Sequence, residues 1–454
     1  MQAVPYNPAL VTKYNIHGPR YTSYPTALAL RDGFSTSPVR EALLNGSEPL
    51  SLYIHLPFCH QLCYYCGCNR VITRHQDKAD TYLAALGAEM QLYAPYIRHR
   101  GIRHLHLGGG TPTFLNERQL SVLMELLQTH LAFSPAQAGE VSIEIDPRTC
   151  SKEKLTHLRQ LGFNRVSYGV QDFNQDVQIA INRVQSEQLV GALVEHARDL
   201  NFESINLDLV YGLPYQQLSN FAYSLDKVVE LSPDRISLFS YAHLPKRFAA
   251  QRKLPENKML QGAQKQALLL LAIERLSQAG YQFIGMDHFA KPTDHLAKAQ
   301  NSGTMQRNFQ GYTTHGNNAL LGLGVSSISQ VDGVIWQHEK DLVPYYERVD
   351  AGQLPISKGF ALTPDDRIRA ALISQLICHF EVDMYAFAQH WGIDFDRYFA
   401  AAFEQLGSYQ DDGLITIDGP WLRVTQLGRL WVRVICTAFD AHLNSSANSY
   451  SKVV

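Results

Sequence analysis

Between residues 50 and 330 the chain alternates short apolar runs of strand character with longer segments of helical spacing. The candidate strands are Leu52–Pro57, Ile102–Leu107, Val141–Ile145, Arg165–Val170, Ser204–Val210, Arg235–Tyr241 and Gln282–Met286. Among the segments between them, Asp77–Tyr93 places Leu83, Leu86, Met90 and Tyr93 on one face at steps of three and four, which predicts an amphipathic helix. Sustained alternation of this kind leaves few solutions. It predicts an α/β unit with a mainly parallel sheet, right-handed crossovers, and functional loops at the carboxyl ends of the strands.

Those ends carry polar and glycine residues in order. A cysteine loop follows the first strand, and Gly108-Gly-Gly-Thr-Pro112 follows the second. Glu144-Ile-Asp146 ends the third, Gln171-Asp172 the fourth, Asp208 with Tyr211-Gly212 the fifth, and Tyr241-Ala-His243 the sixth. Six such groups on one rim point to a shared site.

The cysteine loop reads Cys59-His-Gln-Leu-Cys63-Tyr-Tyr-Cys66-Gly-Cys68. Its C-x3-C-x2-C spacing lets three thiolates share one metal cluster. A [4Fe-4S] cube held by three cysteines keeps one iron open, which is a catalytic rather than a structural arrangement. A zinc site with Cys68 or His60 as fourth ligand is the alternative, but structural zinc usually draws its ligands from two separated knuckles. Cys150, Cys378 and Cys436 stand isolated, so no second knuckle is present. Cys68 follows the third ligand too closely to complete the same cube, and reads as either a functional thiol near the cluster or a spare buried cysteine.

The Gly108–Gly110 run is either a plain turn or a place where a charged ligand approaches the backbone. It lacks the Lys-Ser/Thr ending of a P-loop, which argues against a nucleoside triphosphate. Glu144 and Asp208 end apolar strands, where a carboxylate needs a cation, a hydroxyl or a polar cavity; structural salt bridges are the other reading. Arg183 is either functional or a surface arginine. Two prolines and two tyrosines around Arg20, in His17-Gly-Pro-Arg-Tyr-Thr-Ser-Tyr-Pro-Thr26, predict an ordered arm.

Bulk properties set outer bounds. At 454 residues the chain exceeds one ordinary core and predicts two units. A formal net charge of -2 gives no overall attraction to nucleic acid or an anionic membrane. The N-terminus lacks a basic start followed by an apolar stretch, so no signal peptide is expected. The most apolar helical stretch, Ala267-Leu-Leu-Leu-Leu-Ala-Ile273, falls far short of the roughly 20 residues that span a bilayer. Seven cysteines, four of them clustered, suit a reduced, cytoplasmic protein better than a disulfide framework.

Residues 1–48 are predicted as the arm, 49–330 as the main unit and 331–360 as a connector. A smaller, mainly helical unit is expected over 361–454, with helices at Pro364–Phe380, Met384–His390 and Phe395–Leu406. A hairpin at Leu414–Asp418 and Trp421–Thr425 follows, then a last helix capped by Thr425. This order is winged-helix-like, but no basic stripe supports a nucleic-acid role. The tail Asn444-Ser-Ser-Ala-Asn-Ser is expected to fray.

The cysteine loop is the signature of the radical S-adenosylmethionine enzymes, and the chain as a whole resembles one family among them, the oxygen-independent coproporphyrinogen III oxidases. Carrying the resemblance are Gly18-Pro-Arg-Tyr-Thr-Ser-Tyr-Pro-Thr26, Tyr53-Ile-His-Leu-Pro-Phe-Cys59, Cys63-Tyr-Tyr-Cys-Gly-Cys-Asn69 and Gly108-Gly-Gly-Thr-Pro-Thr113. Further matches are Gly169-Val-Gln-Asp-Phe173, Asp208-Leu-Val-Tyr-Gly-Leu-Pro214, Tyr241-Ala-His-Leu-Pro245, Gly285-Met-Asp-His-Phe-Ala290 and Asn308-Phe-Gln-Gly-Tyr-Thr-Thr314. The resemblance implies an incomplete (β/α)6 barrel and a helical C-terminal domain. Cys59, Cys63 and Cys66 would hold a [4Fe-4S] cluster whose fourth iron chelates S-adenosylmethionine. By position, Tyr53, Gly109 and Glu144 would contact that first molecule. Tyr65, Gly110, Thr111, Gln171, Arg183, Asp208, Ala242 and Ile328 would contact a second.

The implied reaction turns two propionates of coproporphyrinogen III into vinyl groups, giving protoporphyrinogen IX, with 5'-deoxyadenosyl radicals removing a β-hydrogen before loss of CO2 and one electron. It would need a reductant for the cluster and would place the protein in the cytoplasm, expected as a monomer. Arg20 and Arg307 are candidate partners for substrate carboxylates, since a guanidinium binds a carboxylate bidentately. Cys68 is the candidate catalytic thiol. A haem-binding chaperone-like relative without oxidase activity is the alternative, but such relatives generally lack the fourth cysteine and the arm. Tyr65, Tyr168, Ile368-Arg-Ala-Ala-Leu-Ile373 and Cys378-His-Phe380 depart from the family pattern, which puts substrate fit or domain docking in question.

Overall fold

The structure, a computed structural model, describes residues 7–314, 319–443, 450 and 453. The tail expected to fray, residues 444–449, lies outside them. Six parallel strands form the centre of one large sheet: β1 (Leu50–Leu56), β2 (Ile102–Gly109), β3 (Glu140–Ile145), β4 (Arg165–Gln171), β5 (Ser204–Tyr211) and β6 (Arg235–Ser240). Each is followed by a helix, namely Asp77–Ile97, Glu117–Leu131, Lys152–Gln160, Glu187–Asp199, Leu218–Leu231 and Gly262–Gln278. Both apolar patterns act as the sequence implies. The helix Asp77–Ile97 buries Leu83, Leu86, Met90 and Tyr93, while β1 is buried or nearly so along its whole length.

The barrel is incomplete, and its edges extend differently from the sequence expectation. The seventh candidate strand is β7 (Gln282–Gly285) of a hairpin with β8 (His288–Ala290), and β8 pairs antiparallel with β6. Residues 306–308 and 311–313 form a two-stranded ribbon, β9 (Gln306–Asn308) and β10 (Gly311–Thr313). On the other edge, β11 (Ala319–Leu323) adds a further parallel strand beside β1.

Residues 331–360 are not a connector. They complete β12 (Ile328–Val331) and supply β13 (Val334–His338), a helix at Leu342–Asp350 and most of β14 (Ile356–Ala361). These strands continue the sheet antiparallel from β11. The physical reason is burial. Every residue of β13 is buried, Trp336 completely, and its indole Nε1 donates to Tyr93 Oη at 3.1 Å. Fully buried Glu89 on the same helix accepts from Tyr345 Oη at 2.6 Å and Gly324 N at 2.9 Å, with His338 Nδ1 at 3.3 Å. Burial pushes the Glu89 carboxyl up to about 8 and His338 down to about 4, so the pair is held in its neutral forms near pH 7.

A second core joins the C-terminal segment to the N-terminal arm. Leu10, Val11 and Tyr14 of the helix Pro8–Tyr14 pack with Leu406, Trp431 and Ile435. The C-terminal helices run Pro364–His379, Met384–Trp391, Phe395–Tyr398 and Ala400–Asp411, the predicted third helix being broken at Phe399. The hairpin Ile415–Asp418 and Trp421–Val424 gains a third strand, Glu381–Asp383. Thr425 Oγ1 accepts from Gly428 N at 3.0 Å at the start of a 3-10 turn, Gly428–Trp431, and so does not cap the last helix, Val432–Thr437, as expected.

If residues 331–360 are part of the main core, Trp336→Ala will cost about 3 to 5 kcal/mol. The urea unfolding midpoint measures this, and a loss below about 1 kcal/mol, the scale of a surface change, would return the segment to a connector.

Candidate functional site

The cysteine loop leaves β1 where the Gly108–Gly110 loop leaves β2, and the two backbones touch. Gly110 N donates to Leu56 O at 2.8 Å. A Cβ on Gly110 would meet Pro57 O at 2.6 Å, and one on Gly109, whose φ is +118°, would meet the His55 ring at 2.8 Å. Glycine is required at both positions for close approach. Thr111 then brings Oγ1 within 3.3 Å of Cys59 Sγ.

All four clustered cysteines line a cavity of about 690 Å³ that runs down the barrel. Cys59 and Cys63 are buried, Cys66 is half-buried, and Cys68 is exposed. Cys68 N donates to Cys66 Sγ at 3.4 Å. Burial pushes the Cys59 thiol up to about 12, so a thiolate there needs a metal cation beside it. Cys63 Sγ accepts from Arg183 Nη1 at 3.5 Å and Arg148 Nη2 at 3.6 Å. Both guanidiniums also bind Asp146 Oδ2, at 2.9 and 2.7 Å, and although burial opposes it, Arg183 and Arg148 hold that carboxyl below its usual range. Among the described residues no three His, Cys, Asp or Glu side chains converge on a single ion. The three thiols of the loop suit a multi-iron cluster better than one zinc, and the arginine donors suit sulfur that carries negative charge.

Beside the cysteines, Glu144 stands at the end of β3 between His106 Nε2, 3.3 Å from Oε1, and Gly109 N, which donates to Oε2 at 3.3 Å. Its side chain is 44% exposed to the cavity, leaving acceptor capacity for a ligand ammonium or hydroxyl. Tyr53 stacks on His106 at 6.0 Å and places its Oη 3.0 Å from His55 Nδ1. Along β4 the register slips between Gly169 and Gln171; Gln171, at φ +69°, lines the cavity. A bulge of this kind re-aims a side chain next to a site. Asp208 accepts from Ser167 Oγ at 2.7 Å and Asn206 Nδ2 at 2.8 Å, and burial pushes its carboxyl up to about 6.

The other expected residues divide. Tyr65, Gly109, Gly110, Thr111, Arg183 and Ala242 line the same cavity. Tyr53 does not line it but stacks on His106, which does, and Ile328, on β12, does not line it. Arg20 lines it, with Nη1 on Asp287 Oδ2 at 3.2 Å and Nη2 donating to Ser240 O at 3.1 Å. Arg307 stacks on Tyr312 at 4.6 Å and lines a separate cavity of about 440 Å³. Sequence reasoning passed over Arg148, His106, Ser142, Ser167, Asn206 and Ser237, which all belong to the site or its supports. The signal was available for the strand residues, because polar side chains at alternate positions of β2 to β6 mark a polar face turned inward.

Two family models match the chain, the Radical SAM superfamily over residues 53–228 and the HemN C-terminal domain over residues 362–431. A curated oxygen-independent coproporphyrinogen III oxidase of Salmonella typhimurium is 49% identical, with 100% of this chain and 99% of the relative aligned. The protein of that name from Escherichia coli is 48% identical, with both chains fully covered. A solved structure described as coproporphyrinogen III oxidase from Escherichia coli, a radical SAM enzyme, superposes with a TM-score of 0.93 at 48% identity, covering 97% of this chain and all of its own.

The raised Asp208 carboxyl carries a sign. The unfolded chain releases that proton near pH 4 and the folded chain near 6, so stability falls as pH rises across this window and stays lower above it. Asp208→Asn removes this contribution. In cluster-free protein the variant should gain on the order of 1 kcal/mol over the parent between pH 4 and 7, read as melting temperatures at both pH values; a constant difference would show that Asp208 titrates normally.

Proposed function

The chain belongs to the family of oxygen-independent coproporphyrinogen III oxidases, and from that premise we propose how its residues share the work. The activity is the anaerobic oxidative decarboxylation of two propionates of coproporphyrinogen III to vinyl groups, giving protoporphyrinogen IX for haem and porphyrin biosynthesis. The enzyme uses one [4Fe-4S] cluster with three cysteine ligands and two molecules of S-adenosylmethionine, which supply the 5'-deoxyadenosyl radicals that start the reaction. The observation that carries this reading is similarity over the whole chain combined with three cysteines on one cavity wall.

In this reading Cys59, Cys63 and Cys66 hold the cluster. Arg183 and Arg148 donate to the Cys63 sulfur and steady its charge. Glu144, Gly109 and the Tyr53–His106 stack bind the first S-adenosylmethionine. Asp208, with Gln171, Thr111, Gly110, Tyr65, Arg183 and Ala242, binds the second, Asp208 as acceptor for a hydroxyl or ammonium. Ile328 would act from β12, outside the cavity lining. Cys68, exposed at the cavity, is the thiol placed to serve the chemistry without holding the cluster. Arg20 meets a substrate carboxylate, exchanging Asp287 for it. Arg307 would meet another only from the neighbouring cavity. The haem-chaperone alternative loses ground because the relatives above carry the oxidase name.

We place residues 1–48 as an arm, the barrel with its added strands up to 361 as the catalytic unit, and the remainder as a C-terminal domain. No helix among the described residues is long and apolar enough to cross a membrane. A cytoplasmic monomer that takes electrons from a separate reductant fits the reading.

Anaerobic reconstitution with iron and sulfide, reduction, and addition of S-adenosylmethionine and coproporphyrinogen III test it. Chromatography of the oxidised products should show protoporphyrin with two 5'-deoxyadenosines per molecule. Cys63→Ala should lose the cluster absorption and both products, whereas Cys68→Ser should keep the cluster and lose turnover. Cofactor cleavage without protoporphyrin would overturn the substrate, and normal turnover in Cys68→Ser would make that thiol a spare.

A further inference from the structure

Where β5 and β6 meet the N-terminal arm and the C-terminal segment, the positive charges of Arg20, Lys265 and Arg433 share a single nearby carboxylate, Asp287. Arg20 binds it. Lys265, on the helix Gly262–Gln278, is 9% exposed; its Nζ donates to Tyr241 O at 2.9 Å and lies 5.6 Å from the Tyr211 ring centroid. Its stem has a prepared seat, because a Cβ on Gly212, at φ +86°, would stand 2.6 Å from Lys265 Cε. Arg433, on the helix Val432–Thr437, is 7% exposed and donates to Pro19 O at 2.9 Å and Gly18 O at 2.6 Å, gripping the two residues before Arg20. Arg307 stacks on Tyr312, a ring that lines the main cavity, and itself lines the neighbouring one. Among the described residues, no carboxylate lies within 4.0 Å of Lys265, Arg307 or Arg433.

Buried cations without counter-charges are costly, and they are usually found paired. The strain is visible in the groups themselves. Burial, with Arg20 and Arg433 adding to it, pushes Lys265 down to about 8; burial and Arg20 push Arg433 down to about 10. Hydrogen bonds to carbonyl oxygens satisfy the donors but leave the charge unbalanced. The cavity beside this wall, with Arg20 on its surface, is where negative charge can arrive.

We propose that Lys265 and Arg433 are specificity-determining residues for the tetrapyrrole: they form a second layer of positive charge behind Arg20, and the propionate carboxylates of the bound substrate complete the charge balance. The proposal rests on the substrate reading above. Arg20 touches the carboxylate. Arg433 positions Arg20 through the Gly18 and Pro19 carbonyls and adds charge, while Lys265 adds charge and holds Tyr241 O. A substrate that has lost one carboxylate, the tricarboxylate monovinyl intermediate, is then held less tightly, which favours its turning or rebinding for the second decarboxylation.

The test uses the cluster-loaded enzyme under anaerobic conditions, with coproporphyrin III as the tetracarboxylate binding probe and coproporphyrinogen III for turnover. Lys265→Met removes charge. Arg433→Gln keeps an N–H donor for the arm without charge, and Arg433→Lys keeps charge. Each neutral variant should raise the probe's Kd about tenfold and raise KM more than it lowers kcat, as loss of a close charge does at a binding site. Arg433→Lys should stay within about threefold of the parent, the scatter expected for a retained charge. Should a variant fail to fold, the parent decides: its Kd must weaken between about 50 and 500 mM salt, and a salt-independent Kd overturns the proposal. Unchanged Kd in both neutral variants, or equal loss in Arg433→Lys and Arg433→Gln, overturns the charge layer while parent turnover leaves the substrate reading standing. A parent that neither binds nor converts the tetracarboxylate overturns both.

Discussion

A buried guanidinium must find partners, and Arg183 finds them on three chain segments at once. It donates to Cys63 Sγ, Asp146 Oδ2 and Gly169 O, and so ties the cysteine loop to the ends of β3 and β4. Its neighbours extend the grip in sequence order. Tyr64 N donates to Ile181 O at 3.0 Å, and Asn182 Nδ2 donates to Leu62 O at 2.8 Å. Three consecutive residues, 181–183, thus hold three consecutive residues, 62–64. The loop after β1 is held further by a short ladder of Phe58–Cys59 with Val71–Ile72 and by Gln251 Nε2, which donates to Tyr65 O at 3.0 Å. With the loop fixed, the glycine backbone of residues 108–110 can close on Leu56 and Pro57 from the other side.

The barrel interior depends on that placement. Closed eight-stranded (β/α) barrels fill their centre with layers of mostly apolar side chains, whereas in this open barrel His106, Ser142, Ser167, Asn206 and Ser237 face a cavity. Stability therefore comes from the outer layer, where the helices bury Leu86, Met90, Leu123, Leu127, Leu193 and Leu225 against the sheet. The inner residues line the cavity instead, and in the proposed reading Asp208 shows what this costs, as a carboxyl that burial holds above its normal range.

Much of this arrangement was legible because it is local. A C-x3-C-x2-C run, glycines after a strand and a carboxylate ending an apolar strand each carry their meaning within ten residues, and all six parallel strands of the barrel appear where periodicity placed them. What escaped depends on distant contacts. Val334-Ile-Trp-Gln-His338 reads as mixed polarity, yet it is fully buried, because Tyr93 and Glu89, more than 240 residues away in the chain, supply partners for Trp336 and His338. Arg148 resembled any surface arginine until Asp146 and Cys63 met it. The departures from the family pattern each have a place in the packing. Tyr168 is fully buried with its hydroxyl donating to Leu193 O at 3.2 Å, and Ile368, Cys378 and Phe380 sit in the second core, away from the cavity. Tyr65 alone among them lines it.

A formal net charge of -2 says nothing about a site this polarised, because charge acts over about a Debye length, roughly 8 Å at physiological salt, and not over the whole chain. What matters is which chain segments deliver the cations. Arg20 comes from the arm, Lys265 from the last barrel helix, Arg307 from β9 and Arg433 from the C-terminal helix. The arm itself is held by the other end of the chain: Val453 N donates to Ile16 O at 2.9 Å, and His17 Nδ1 lies 2.6 Å from Tyr450 O. The positive wall is therefore complete only when the arm and the C-terminal segment are docked on the barrel. That dependence gives the C-terminal segment a chemical task, delivering charge to a cavity it does not line, and explains why an ordered arm and a second core accompany a barrel that already holds all four clustered cysteines.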